Sequence, residues 1–228
     1  MKKFFFKLIR FWNEDRSLTI MLLLLLFFIF VLSPLLNPDR GGDILIKITY
    51  SVILLTGILS VSRNKRYKTV VTIFAVIAFL VNWISVIAPG RTVLIANDFA
   101  LILFNIIFAI AMLIKTFKPG DITFHRIEGS VVVYLLAGLI FTNVFHAVYL
   151  VAGSSSFNNI SEAEFKDFLY FSFTSLTTMG YGDITPVHPM ARSLANFEAL
   201  IGQLYPAILI ARLVSMEFES SMRKKEKK

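Results

Sequence analysis

Six apolar runs of membrane-spanning length dominate this chain: Leu18 to Leu36, Ile44 to Ser62, Thr69 to Ala88, Val93 to Ile114, Ile127 to Ala152 and Met190 to Met216. A hydrocarbon core about 30 Å thick takes about 20 residues of helix to cross. Inside it every backbone N–H and C=O must be satisfied within the segment, which leaves helices or a closed barrel. Runs of this length, without two-residue alternation, predict an all-α integral membrane protein. Composition agrees, with 56% hydrophobic residues and a mean hydropathy of +0.72. The first run is longer than a signal-peptide core and has no small-residue cleavage site, so it is read as a retained span.

The charges suggest an orientation. Arg63, Lys65, Arg66 and Lys68 lie between runs two and three, Lys115, Lys118 and Arg126 between four and five, and Arg223, Lys224, Lys225, Lys227 and Lys228 near the end. The intervening loops, with Asp39, Arg40 and Asp43 and with Glu162, Glu164 and Asp167, are acidic on balance. The positive-inside rule then places both ends in the cytoplasm of a plasma membrane protein. The net charge of +8 is concentrated at helix ends, which points to membrane topology and not to nucleic acid. Residues 1–17 interleave basic side chains with Phe4, Phe5, Phe6, Phe11 and Trp12, as an interfacial helix does.

The segment between the last two runs is the least ordinary. A polar loop, Gly153 to Ala163, leads into Glu164 to Thr177, which suits a half-length helix, and then into Thr177-Thr178-Met179-Gly180-Tyr181-Gly182-Asp183. Two glycines around a tyrosine give the backbone conformations closed to residues with a Cβ. Such a strand can turn successive carbonyls the same way. Four copies around one axis would stack rings of oxygen that replace the water of a cation.

TTMGYGD resembles the signature of the potassium channel superfamily, with Met179 where that family usually has Val or Ile. The resemblance covers roughly Ile127 to Met216 and is sharpest from Tyr170 to Pro186. It implies six transmembrane helices with a re-entrant pore helix and filter loop, assembled as a fourfold homotetramer. One filter strand per chain cannot close a ring by itself. K+ would pass as permeant ion, bound by Thr178, Met179, Gly180 and Tyr181, with Gly182 turning the chain out to the mouth. Tyr170 and Phe171 match the aromatic pair that braces the filter, with the Tyr170 hydroxyl bonding Asp183. Thr174 stands four residues before Thr178, where a two-helix bacterial member carries glutamate. Glu198, an intramembrane carboxyl, is expected behind the filter near Thr174 or Ser175 in its stead. Gly202 falls at the interval of the family's inner-helix hinge. Gln203, Ala207, Ile210 and Val214 would line the cavity, and Pro206 would kink the helix.

The resulting organisation is an interfacial segment 1–17, a four-helix peripheral domain 18–118, a pore domain 119–217 and a short basic tail 218–228. The fourth run carries no arginine between Arg91 and Lys115, so a conventional voltage sensor is not expected. Lys47 and Asp98 are candidates for a buried pair. His125, His146 and His188 look isolated. No cysteine is present, and no catalytic triad, metal motif, nucleotide loop or fused ligand-binding domain is visible. No cofactor and no enzyme are expected; the partners are lipids and further copies of the chain. The rival readings are a weakly selective cation channel, suggested by Met179, and a non-conducting subunit that modulates a partner.

Overall fold

The computed structural model describes residues 14–36, 40–61, 65–117, 124–160 and 164–226. The expected interfacial helix lies mostly outside these residues, as do Asp39, Arg63, Lys118 and Glu162 and the last two residues. Within them, six helices are long and apolar enough to cross a membrane. The first, α1 (Glu14–Phe27), continues through a π turn (Phe28–Leu32) into Ser33–Leu35. Then come α2 (Arg40–Ser60), α3 (Lys65–Ile87), α4 (Arg91–Thr116) and α5 (Phe124–Ala152). A half-length helix, α6 (Phe165–Leu176), and a long last helix, α7 (Pro189–Glu226), follow. The chain is an all-α multi-pass membrane protein.

The helix ends follow local chemistry. Pro89-Gly90 breaks the chain before α4, and Gly90 is extended at its N-cap. Arg91 then reaches back to the end of α5, its Nε donating to the Leu150 carbonyl (2.6 Å) and its Nη2 to the Val151 carbonyl (3.1 Å). Those carbonyls belong to the last turn of α5, where intrahelical donors run out and a cation is favoured. α6 ends where the Thr177 hydroxyl and amide both turn back to the Phe173 carbonyl.

Two apolar clusters hold the chain together. The larger joins α1, α2, α4 and α5 through Met21, Leu25, Phe28, Ile53, Phe104, Phe108, Leu136 and Leu139. The smaller is aromatic and seats α6 between α5 and the start of α7, through Phe141, Phe145, Phe157, Phe168 and Phe171. Phe145 and Phe171 meet edge to face at 4.8 Å between centroids, the arrangement that ring quadrupoles favour. α4 packs most extensively against α5 of its own chain, and α1 also touches α5.

Two features add to the sequence reading. The helix that carries the last apolar run continues beyond it, α7 running to Glu226 and passing Pro206 without interruption. A two-residue antiparallel pairing, β1 (Phe157–Asn158) with β2 (Thr185–Pro186), ties the loop after α5 to the segment leaving the filter. The loop's apolar anchor, Phe157, is buried.

Candidate functional site

The 177–183 segment leaves the C-terminal end of α6 and doubles back along it. Its backbone alternates in hand: Thr178, Gly180 and Gly182 have φ of 58°, 56° and 78°, while Met179 and Tyr181 are not in the positive region. Left- and right-handed residues in strict alternation cancel each other's helical rotation, so successive carbonyls stay on one side. Glycine adopts positive φ at no steric cost, whereas a threonine there is uncommon. The other side of the strand is tied down. The amides of Met179 and Gly180 both donate to the Thr174 carbonyl (2.9 and 3.2 Å), and the Thr178 amide donates to Ser175 O (3.0 Å). The amide edge therefore faces α6, leaving the carbonyl edge turned away from it.

This gives Thr174 a part that its position, where a family member carries glutamate, did not suggest. Its carbonyl is the shared acceptor for the Met179 and Gly180 amides, and its hydroxyl donates to Phe171 O (2.9 Å). Sequence reasoning looked at the side chain, whereas the contact is made by the backbone.

At the mouth, the Tyr170 hydroxyl donates to Asp183 Oδ2 at 2.7 Å. The Tyr170 and Tyr181 rings stack at 6.5 Å with 2° between their planes. Asn159, itself at φ 61°, donates its amide to Asp183 O (2.7 Å). The bond to Asp183, together with that neighbouring negative charge, pushes the Tyr170 hydroxyl up to about 12. The same bond holds the Asp183 carboxyl below its ordinary value. Phe171 is buried in the aromatic cluster.

Glu198 is fully buried. Its partner is Ser172, not Thr174 or Ser175. The Ser172 hydroxyl lies 2.5 Å from Glu198 Oε1 and 2.8 Å from Gly138 O. The helical turn explains the difference: Ser172 shares the α5/α7 side of α6, while Thr174 turns toward the filter. Gly202 is also buried, and a Cβ there would overlap the Leu176 carbonyl. α7 thus touches the end of α6 backbone to backbone, and close approach is a requirement for glycine independent of any hinge. Above and below it, Tyr205 donates to Ser130 O (2.8 Å) and Tyr134 to Leu176 O (3.2 Å), their rings stacked at 5.9 Å. Gln203, Ala207, Ile210 and Val214 are all exposed on the chain's surface, as is Met179.

The expected Lys47–Asp98 pair is not formed. Lys47 Nζ contacts Ser85 Oγ (2.5 Å) and Asn82 O (3.4 Å) across the α2–α3 groove. Asp98 instead lies 2.8 Å from His146 Nδ1 on α5. His146 is therefore not isolated, nor is His125, whose Nδ1 lies 2.9 Å from buried Glu128. Both partners sit on helices whose rotation is fixed only by packing, which the spacing of single charges does not disclose. Among the described residues no cluster of three or more His, Asp or Glu side chains suits a metal ion.

The family model described as "Ion channel" matches residues 129–219. Relatives include the inward rectifier potassium channel Kirbac3.1 of Paramagnetospirillum magnetotacticum, 34% identical over 83 residues, which are 36% of this chain and 28% of the relative. Protein LctB of Geobacillus stearothermophilus is 38% identical over 78 residues, 34% of this chain and 54% of the relative. LctB of Bacillus caldotenax is 40% identical over 70 residues, 30% and 50% of the two chains. The chain thus spans between about a quarter and about half the length of these curated relatives. No solved structure matches it.

Proposed function

We propose that this chain, whose residues 129–219 match the family model described as "Ion channel", is an ion channel and that four copies of it form a potassium-selective pore in the plasma membrane. Chain ends face the cytoplasm and the filter mouth faces outward. K+ passes down its gradient through carbonyls of Thr178, Met179, Gly180 and Tyr181, with Gln203, Ala207, Ile210 and Val214 lining the cavity below. The observation that carries this reading is the alternation of φ along 178–182 together with the shared amide contacts to Thr174 O. That combination presents a row of carbonyls on one edge, which is what a dehydrated cation requires. The peripheral helices carry no arginine-rich span, so the gating stimulus is not a conventional voltage sensor. No enzymatic role belongs to this reading.

Flux of K+ against Na+ into liposomes holding the purified protein tests it, with Gly180→Asp as control. K+ uptake well above Na+ uptake, lost in Gly180→Asp, is expected. One observation favours a weakly selective cation pore as second reading. Met179 is long, flexible and 57% exposed, so it braces the filter less rigidly than a β-branched residue. Comparable Na+ and K+ uptake, with Na+ reduced by Met179→Val, would favour that reading instead.

A further inference from the structure

A polar cavity of about 370 Å³ opens between α2, α3, α4 and α5, at the end of the bundle where α6 begins. Asp98 lies seven residues into α4 and His146 six residues from the end of α5, so both sit about 10 Å below the helix ends on the filter-mouth side. Asp98 is 2% exposed, and His146 Nδ1 lies 2.8 Å from its Oδ2. Asn97, one residue away, keeps its buried Oδ1 without a protein partner among the described residues. A membrane interior tolerates such groups only around water or a function.

We infer that this cavity is an aqueous vestibule in which the His146–Asp98 pair takes up a proton from the filter-mouth side, and that its protonation state biases the packing of the pore helix. The step is acid–base only. The neutral ring accepts the incoming proton at its unprotonated nitrogen and becomes an imidazolium beside the Asp98 carboxylate, whose Oδ2 lies 2.8 Å from Nδ1.

Other charges around the pair define its field. From α2 come Lys47, which opposes uptake, and Asp43, which favours it; both line the cavity. From the start of α6 come Glu164 and Lys166, paired with each other at 2.5 Å. α3 contributes only the neutral Asn82 and Ser85. Histidine is the side chain suited to exchanging a proton near neutral pH, and His146 is the histidine among the residues that line the cavity.

The readout is built into the aromatic cluster. The His146 ring packs on Phe168 of α6 at 5.3 Å between centroids. Phe168 is fully buried and meets Tyr149 and Phe157 edge to face. A charge gained on the imidazole changes its attraction to that ring, and Phe168 lies two residues before Tyr170, which holds Asp183. The conduction part of this inference rests on the channel reading, while the structural part does not.

Hydrogen–deuterium exchange at residues 165–176, followed from about pH 5 to 8 in nanodiscs, tests the structural part. A single pH-dependent change is expected in the parent, absent in His146→Gln and displaced in midpoint in Asp98→Asn, which retains the fold's shape. His188→Gln and His125→Gln should keep the parental profile. A flat parent profile, an unchanged His146→Gln profile, or loss of the change in either control would overturn the inference. Because the chain has no cysteine, Lys47→Cys supplies a clean probe of the vestibule. Rapid labelling by a charged thiol reagent is expected, and failure to label would also overturn it. K+ flux should follow the same pH profile as exchange. A channel silent at every pH counts against the conduction reading alone, and the exchange profiles still decide the proton site.

Discussion

α5 and α7 flank the same filter, yet they are used in opposite ways. In the most apolar stretch of α5, 61% of the residues are buried by their own chain, against 11% in that of α7. α5 is a shared wall, gripped by α1 and α4 on one side and by α6 on the other. α7 is anchored along one line, Ala191, Glu198, Gly202 and Met216, and presents Phe197, Leu200, Leu204 and Ile208 outward. Lipid is as apolar as these side chains, so exposure in a membrane is not by itself a defect. The contrast teaches that the packing of one chain and the surface it leaves uncovered belong to different helices. The chain's own core closes around α5, while α7 leaves most of its apolar face uncovered.

That contrast can be broken at several points. Leu136→Ala removes a fully buried side chain of α5 and should destabilise the chain by about 2–5 kcal/mol, as cavity-forming changes do. Thermal unfolding of the purified protein would show it as loss of folded material before any change in assembly. Gly202→Ala drives a Cβ into the Leu176 carbonyl. The obstacle is backbone and cannot rotate away, so the cost should approach about 3 kcal/mol, the upper part of the overpacking range. A variant with parental melting and flux would show that α7 is free to shift there. Glu198→Ala leaves the Ser172 hydroxyl with only the Gly138 carbonyl and should cost about 1–3 kcal/mol. Glu198→Gln, which keeps an acceptor, should recover most of it in the same melting assay.

Smaller effects sharpen the comparison. Ile208→Ala, on the exposed face of α7, should leave chain stability within about 0.5 kcal/mol of the parent. It should nevertheless lower the tetramer fraction in native mass spectra, and an unchanged fraction would remove α7 from the assembly surface. Tyr170→Phe is the mildest. Asp183 has its folded carboxyl held below its ordinary value, so its bond to Tyr170 contributes above the unfolded carboxylate range. That contribution is lost as pH falls through the lowered folded value. Without the hydroxyl, the mouth should become acid-sensitive at a higher pH than in the parent, closer to the ordinary carboxylate range. Flux measured against pH on the mouth side would read this, and an unmoved acid limb would exclude the Tyr170–Asp183 bond as its source.

Much of the fold was legible because the bilayer turns length and apolarity into geometry. The six spans appear within a few residues of where the apolar runs put them, and the two glycines of TTMGYGD mark two of the positive-φ positions. The third, Thr178, was not legible, because a β-branched residue gives no sign of left-handed backbone. Nor was the role of Thr174, since a carbonyl acceptor leaves no trace in side-chain identity. Glu198 was legible as an anomaly, being a carboxyl inside a span, but its partner depends on the turn of α6 against α7. Lys47 and Asp98 failed as a pair for a related reason. Depth in the membrane can be counted along the sequence, but azimuth around a helix cannot.

The contact between Gly202 and the Leu176 carbonyl has a mechanical meaning. Side chains that touch can swing into other rotamers and absorb displacement, whereas two backbones in contact have no such slack. A tilt of α7 at this point must therefore move the last turn of α6, much as a cam moves its follower. The filter amides hang from that turn through Thr174 O and Ser175 O. In this chain a movement of α7 and a movement of the 177–183 segment would then be two ends of one linkage.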